Sequence, residues 1–194
     1  MALLKVAQLG HPVLRHEAEP VPRELIGGAE MERLVADMVE TMREYVGVGL
    51  AAPQVHHPIQ LIVVEAAGER ADRGEIPLTV LFNPSIVEAS EEMATDWEGC
   101  LSAGELRGLV PRARRVVVEA LDRGGQPLTV KAEDFFARVL QHEIDHLQAT
   151  LFFDRMPDLR SLTFAREFAK YWAAPPPDEP ASRPDPQVPP PSLP

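Results

Sequence analysis

The sequence predicts an α+β domain built on antiparallel sheets, and three observations carry that reading. A segment near the N-terminus places apolar residues at helical spacing, four short runs in the middle of the chain are rich in β-branched residues, and a second helical segment follows the last of them. Length agrees, since 194 residues suffice for one well-buried domain and are too few for two of ordinary size.

The first element is a long amphipathic helix over residues 30–45 (EMERLVADMVETMREY). Met31, Leu34, Val35, Met38, Met42 and Tyr45 share one face, and Gly47 and Gly49 end it. The β-like runs are 59–66 (IQLIVVEA), 78–89 (LTVLFNPSIVEA), 114–122 (RRVVVEALD) and 127–132 (PLTVKA). Asp122-Arg123-Gly124-Gly125 joins the last two as a hairpin turn, because glycine supplies the positive φ such turns need. The second helix runs from 132 or 133 to 147, with Glu133 or Asp134 near its start and Phe135, Phe136, Val139, Leu140 and Ile144 on its apolar side. A shorter amphipathic helix is expected over 159–172. Beyond it, AAPPPDEPASRPDPQVPPPSLP holds half of the chain's 20 prolines and almost nothing that could pack a core. The chain therefore divides into a folded domain, 1–172, and a proline-rich disordered tail, 173–194.

A hydrophobic fraction of 45% and a charged fraction of 25% are those of an ordinary soluble protein, with no membrane partner indicated. The net charge of -11 repels phosphate backbones and argues against specific nucleic-acid binding. The N-terminus lacks a signal-peptide core, and Cys100 is the only cysteine, so a reducing, cytoplasmic location is expected.

The chemistry begins at QHEIDHLQATLFFD, where His142, Glu143 and His146 have the spacing H-E-x-x-H. On a helix, positions i and i+4 share a face, so two imidazoles can converge on one ion while the glutamate reaches a water beside it. That is the geometry of metal-assisted hydrolysis. A metzincin-type third histidine is excluded, because Phe152 stands where it would fall. Two candidates remain for the third ligand. Glu167, in FAREFAK, would make a thermolysin-like peptidase. Cys100, in TDWEGCLSAGELRG, offers a thiolate, a strong ligand for Zn²⁺ or Fe²⁺.

A third stretch, GVGLAAPQ at 47–54, has almost no side-chain bulk. It reads either as a helix stop with a small-residue turn or as backbone lining a narrow cleft, with Gly49 at its wall. Gln54 brings an amide NH₂ able to donate to a developing oxyanion.

GVGLAAPQ, EGCLS and QHEIDHL, in this order and at these separations, resemble the three signature motifs of the peptide deformylases. The likeness extends through LGHPVLRHEAEPV and LVPRARRVVVEALDRGGQP and covers about residues 4 to 157. It implies antiparallel sheets wrapped around the metal-bearing helix, and one divalent ion, natively Fe²⁺ and replaceable by Zn²⁺ or Ni²⁺, held by Cys100, His142 and His146. It implies removal of the formyl group from N-formylmethionyl nascent peptides, with Glu143 as the proton carrier and Gln54 and the Leu101 N–H at the oxyanion. It also places peptide contacts at Val48, Gly49 and Gly99, with Arg107 near the mouth, and a methionine pocket to which Phe135 and Val139 are assigned from their place on the helix, along with Val48. The ribosome enters as a candidate partner. The rival readings are the thermolysin-like peptidase and a catalytically silent metal- or ribosome-binding module.

Asp145 cannot share the ligand face and is expected either to support a ligand from behind or to form an ion pair, with Arg112 as the candidate partner. Ala149 departs from the family's usual glycine; where that glycine takes a positive φ, alanine in its place costs about 1 kcal/mol or shifts the helix end. Arg155, Arg160, Arg166 and Lys170 read either as a basic face or, by preference, as ordinary charges on a solvated helix.

Overall fold

The computed structural model describes residues 2–173. Apart from Ala173, the expected tail lies outside the described residues.

The periodic N-terminal segment forms α1 (Ala29–Glu44), burying Leu34, Val35, Met38 and Met42. β1 (Gly49–Ala51) and β2 (Leu61–Ala66) follow. All six residues of β2 are buried because the strand serves two clusters. Leu61 and Val63 pack with α1 on one face, and Ile62 and Val64 pack with Val139, Leu140 and Ile144 on the other. A strand covered on both sides loses its polar alternation, which is why LIVVEA reads as one apolar run.

β3 (Ile76–Ala89), β6 (Arg115–Leu121) and β7 (Pro127–Glu133) complete a five-stranded sheet in the order β1-β2-β3-β6-β7. β4 (Met93–Gly99), β5 (Leu106–Ala113) and β8 (Thr163–Phe164) make a second sheet in the order β4-β5-β8. Every pairing within the two sheets is antiparallel. The second helix, α2 (Asp134–Leu147), lies between them. Its apolar side meets the five-stranded sheet. Its polar side meets β5, where Gln141 accepts from the Ala113 N–H at 3.0 Å and donates to the Ala113 carbonyl at 2.8 Å. From Ala137 to Leu147 every residue of α2 is buried.

α2 ends with Ala149 at φ 55°. The Thr150 N–H reaches the Asp145 carbonyl at 2.9 Å and the Ala149 N–H the His146 carbonyl at 3.3 Å, a Schellman closure with alanine at the position glycine normally fills. The alanine thus takes the left-handed conformation.

Two sequence expectations need correction. The strands β4 and β5 went unassigned, because their burial alternates weakly and β5 contains Gly108 and Pro111. The helix expected over 159–172 is confined to α4 (Ala165–Tyr171). Thr163 and Phe164 pair instead with Arg107 and Leu106 of β5, and the Asp158 carboxylate accepts from the Arg160 N–H at 2.8 Å to hold a turn. Strand pairing outweighs helical spacing there, while a one-turn helix, α3 (Phe152–Arg155), lies upstream. Each of the four basic residues has a local partner. Arg155 pairs with Asp145, Arg160 with Asp158 and Arg166 with Glu167, while Lys170 stands over the Tyr171 ring.

Candidate metal centre

α2 presents His142 and His146 one turn apart, with ring centroids separated by 5.1 Å. Cys100 arrives from the end of β4 and precedes the short 3-10 turn Leu101–Ala103. Its Sγ lies 3.3 Å from His146 Nε2, and the ligand atoms of Cys100, His142 and His146 all lie within 4.8 Å of one another. Around a tetrahedral ion with metal–sulfur and metal–nitrogen bonds of about 2.3 and 2.0 Å, ligand atoms stand roughly 3.5 Å apart, so the group is of a size to close on one ion. One thiolate and two imidazoles suit Zn²⁺ or Fe²⁺.

Protonation favours the same reading. Burial would raise the Cys100 pKa, but the adjacent His146 and His142 rings hold it well below an ordinary thiol, toward the ligating thiolate. His142 Nδ1 lies 2.9 Å from Glu98 Oε2. An ionised carboxylate only accepts, so Nδ1 carries the proton and Nε2 is left to ligate. Glu98 is ionised: burial opposes this, yet His142 and Arg112 keep its pKa far below the usual carboxylate range. The charge is anchored by Arg112, whose Nε and Nη2 reach Glu98 Oε1 and Oε2 at 2.9 and 3.0 Å. Arg112 also holds Asp145, the partner the sequence suggested.

Glu143 follows His142 on the helix and is 4% exposed, with Oε2 buried and without a hydrogen-bond partner. Burial pushes its pKa up to about 7, against the opposing charges of His142 and His146. A carboxyl poised near neutrality beside a metal-ligand cluster is suited to carrying a proton. Its space is made by Gly49, where a Cβ would meet Glu143 Cδ at 2.7 Å. Gln54 is fixed in orientation: its Oε1 accepts from the Ala51 N–H at 2.8 Å, which turns Nε2 toward Ser102 Oγ at 3.2 Å and Cys100 Sγ at 3.5 Å. Leu101 opens its turn, so its N–H occupies a position with no partner inside the helix.

These groups border a cleft of about 280 Å³. Val48, Gly49, Gln54, Gly99, Cys100, Leu101, Arg107, Phe135, Val139, His142 and Glu143 line it, while His146, 1% exposed, sits beneath. Gly99 faces Arg107 in the β4–β5 register, and a Cβ there would run into the Arg107 guanidinium. Glu167 does not join the cluster; it lies on α4 with its side chain 44% exposed and pairs with Arg166. The thermolysin-like arrangement is thereby excluded.

Sequence reasoning overlooked Arg138, a buried cation that also lines the cleft, and Arg73, whose guanidinium lies 4.4 Å from the Phe135 ring centroid. A signal for Arg138 was present. It lies four residues before His142, on the ligand face, where a solvated arginine has no place.

The profile of the family described as Polypeptide deformylase matches residues 3–161. Peptide deformylase 2 of Pseudomonas putida is 43% identical over 155 residues, spanning 79% of this chain and 87% of that protein. Peptide deformylase 1 of Bordetella pertussis is 44% identical across 79% of this chain and 88% of its own length. Among solved structures, the Met-Ala-Ser-bound class I type b peptide deformylase of Acinetobacter baumannii superposes with a TM-score of 0.77 at 38% identity, covering 80% of this chain and 99% of that one. The Thermotoga maritima peptide deformylase superposes with a TM-score of 0.74 at 32% identity, covering 81% of this chain and 100% of that one.

Proposed function

The chain belongs to the polypeptide deformylase family, and we propose that Cys100, His142 and His146 hold the divalent ion on which deformylation depends. The protein is a hydrolase that removes the formyl group from the N-terminus of nascent peptides. The observation that carries the site assignment is the convergence of the three ligand atoms within 4.8 Å beside a buried, half-unpartnered carboxyl.

When bound, the ion supplies Lewis acidity and an acidified water at neutral pH. Fe²⁺ is the native ion proposed, with Zn²⁺ and Ni²⁺ as replacements. The chain's own residues do the rest. Glu143 accepts a proton at its free Oε2 and returns it to the leaving amine, a role its raised pKa supports. The Gln54 NH₂, held in orientation through its Oε1, and the Leu101 N–H are the donors offered to the formyl oxygen as charge develops on it. Val48, Gly49 and Gly99 give the N-formylmethionyl peptide a wall of backbone, Arg107 stands at the mouth, and Phe135 and Val139 border the methionine side chain. None of the described helices is long and apolar enough to cross a membrane. Cytoplasmic action on chains presented by the ribosome is part of the same proposal.

The test is formate release from a short formyl-Met peptide by anaerobically purified protein, with metal counted. Turnover lost in Cys100→Ala together with the metal, and lost in Glu143→Gln with metal retained, is the expected result. A Cys100→Ala protein that keeps both metal and turnover refutes the ligand assignment.

A further inference from the structure

We infer that Arg138 is a positioning residue for the metal ligand His142, acting through Glu98. The inference rests on the metal reading of Cys100, His142 and His146. Arg138 lies one helical turn before His142 on α2 and is 5% exposed. Its Nη1 donates to Glu98 Oε1 at 2.7 Å and to the Val110 carbonyl at 2.8 Å, and its Nη2 donates to the Ala94 carbonyl. The guanidinium thus ties the helix that carries the ligand to two strands of the smaller sheet, the edge strand β4 and the central strand β5.

The count of acceptor sites on Glu98 shows what this adds. Oε1 receives Arg112 Nε and Arg138 Nη1; Oε2 receives Arg112 Nη2 and His142 Nδ1. A carboxylate has about four such sites, and all are taken. Without Arg138, Oε1 keeps a single donor, and the carboxylate can pivot about the Arg112 fork. That pivot moves Oε2, and with it the His142 ring. The two arginines are therefore not redundant. Arg112 fixes the plane of the carboxylate and is itself shared with Asp145, whereas Arg138 fixes Glu98 against the backbone of β4 and β5, the strands that border the peptide cleft.

Groups that orient a ligating histidine from behind are worth about 10- to 100-fold in metal affinity. The experiment compares wild type, Arg138→Met and Arg138→Lys by zinc-chelator competition, by the absorption spectrum of the Co²⁺-substituted protein, and by the denaturant stability of the metal-free protein. Arg138→Met should bind zinc at least tenfold more weakly and shift the Co²⁺ bands, and Arg138→Lys, which restores one charged donor, should recover part of both. Loss of metal-free stability with unchanged zinc affinity and spectrum makes Arg138 purely structural and overturns the inference. Should Arg138→Met fail to fold, Arg138→Gln is judged by the same two metal readouts. Wild-type protein that binds no zinc refutes the metal reading instead, so the two failures are distinct.

Discussion

Gly49 and Glu143 are built around each other, because the carboxyl group of Glu143 occupies the volume where a side chain at position 49 would begin. The strand β1 and the metal helix can approach this closely only at glycine. Displacement of a reacting group by about 1 Å can cost roughly 100-fold in rate. Gly49→Ala should therefore lower kcat about 100-fold while bound metal stays at the wild-type level. Deformylation kinetics with parallel metal analysis check this, and an unimpaired alanine variant would show that Glu143 has room to move.

The raised pKa of Glu143 has a thermodynamic counterpart in the metal-stripped protein. The folded carboxyl keeps its proton up to about pH 7, while the unfolded chain releases it near 4.5. Between those values the folded state binds more protons, so this group makes stability fall as pH rises. The expected fall is on the order of 3 kcal/mol, and Glu143→Gln should lack it. Glu98 and the other carboxylates act in both proteins and cancel in the comparison. Denaturant titrations of both proteins after chelation, at pH 5 and pH 7.5, are the measurement; parallel pH profiles would contradict the burial argument.

Two helices end on side chains in a conformation that suits glycine. Ala149 closes α2 at φ 55°, and Val46 closes α1 at φ 56°, with its neighbour Gly47 donating to the Met42 carbonyl at 2.9 Å. Ala149→Gly should stabilise the protein by about 1 kcal/mol, and Val46→Gly by at least as much because a β-branched residue is worse there. A melting temperature higher by roughly 2–4 °C for each is the expected reading at this chain length.

The ion pairs separate sharply by burial. Arg112 is buried between Glu98 and Asp145, so Arg112→Ala leaves two carboxylates without their shared cation and should cost about 3–5 kcal/mol. Arg15 and Asp154 also pair, but with side chains 48% and 40% exposed, and Arg15→Ala should cost less than about 1 kcal/mol. Chemical denaturation of the two variants against wild type measures the contrast.

What the sequence made legible is what depends on short-range spacing. His142, Glu143 and His146 are placed by helix geometry alone, and the apolar faces of α1 and α2 follow from period. The resemblance of three motifs then joined Cys100 and Gln54 to them, as elements distant in the chain could not be joined by spacing. The shortfall lies where distant partners decide the outcome. The pairing of Glu98 with Arg138 has no signature in spacing until β4 is laid beside α2, and residues 159–164 look helical until β5 recruits Thr163 and Phe164 as an edge.

α2 is buried along its whole length from Ala137 to Leu147, and the same eleven residues include both histidines proposed as ligands, the proposed proton carrier and the clamps on β5. Many enzymes keep their chemistry on loops and leave the interior free to drift. Here the interior is the chemistry. Substitutions that repack this helix alter the placement of those side chains at the same time, so a stabilising change is freer at its exit, Ala149, than along its buried length.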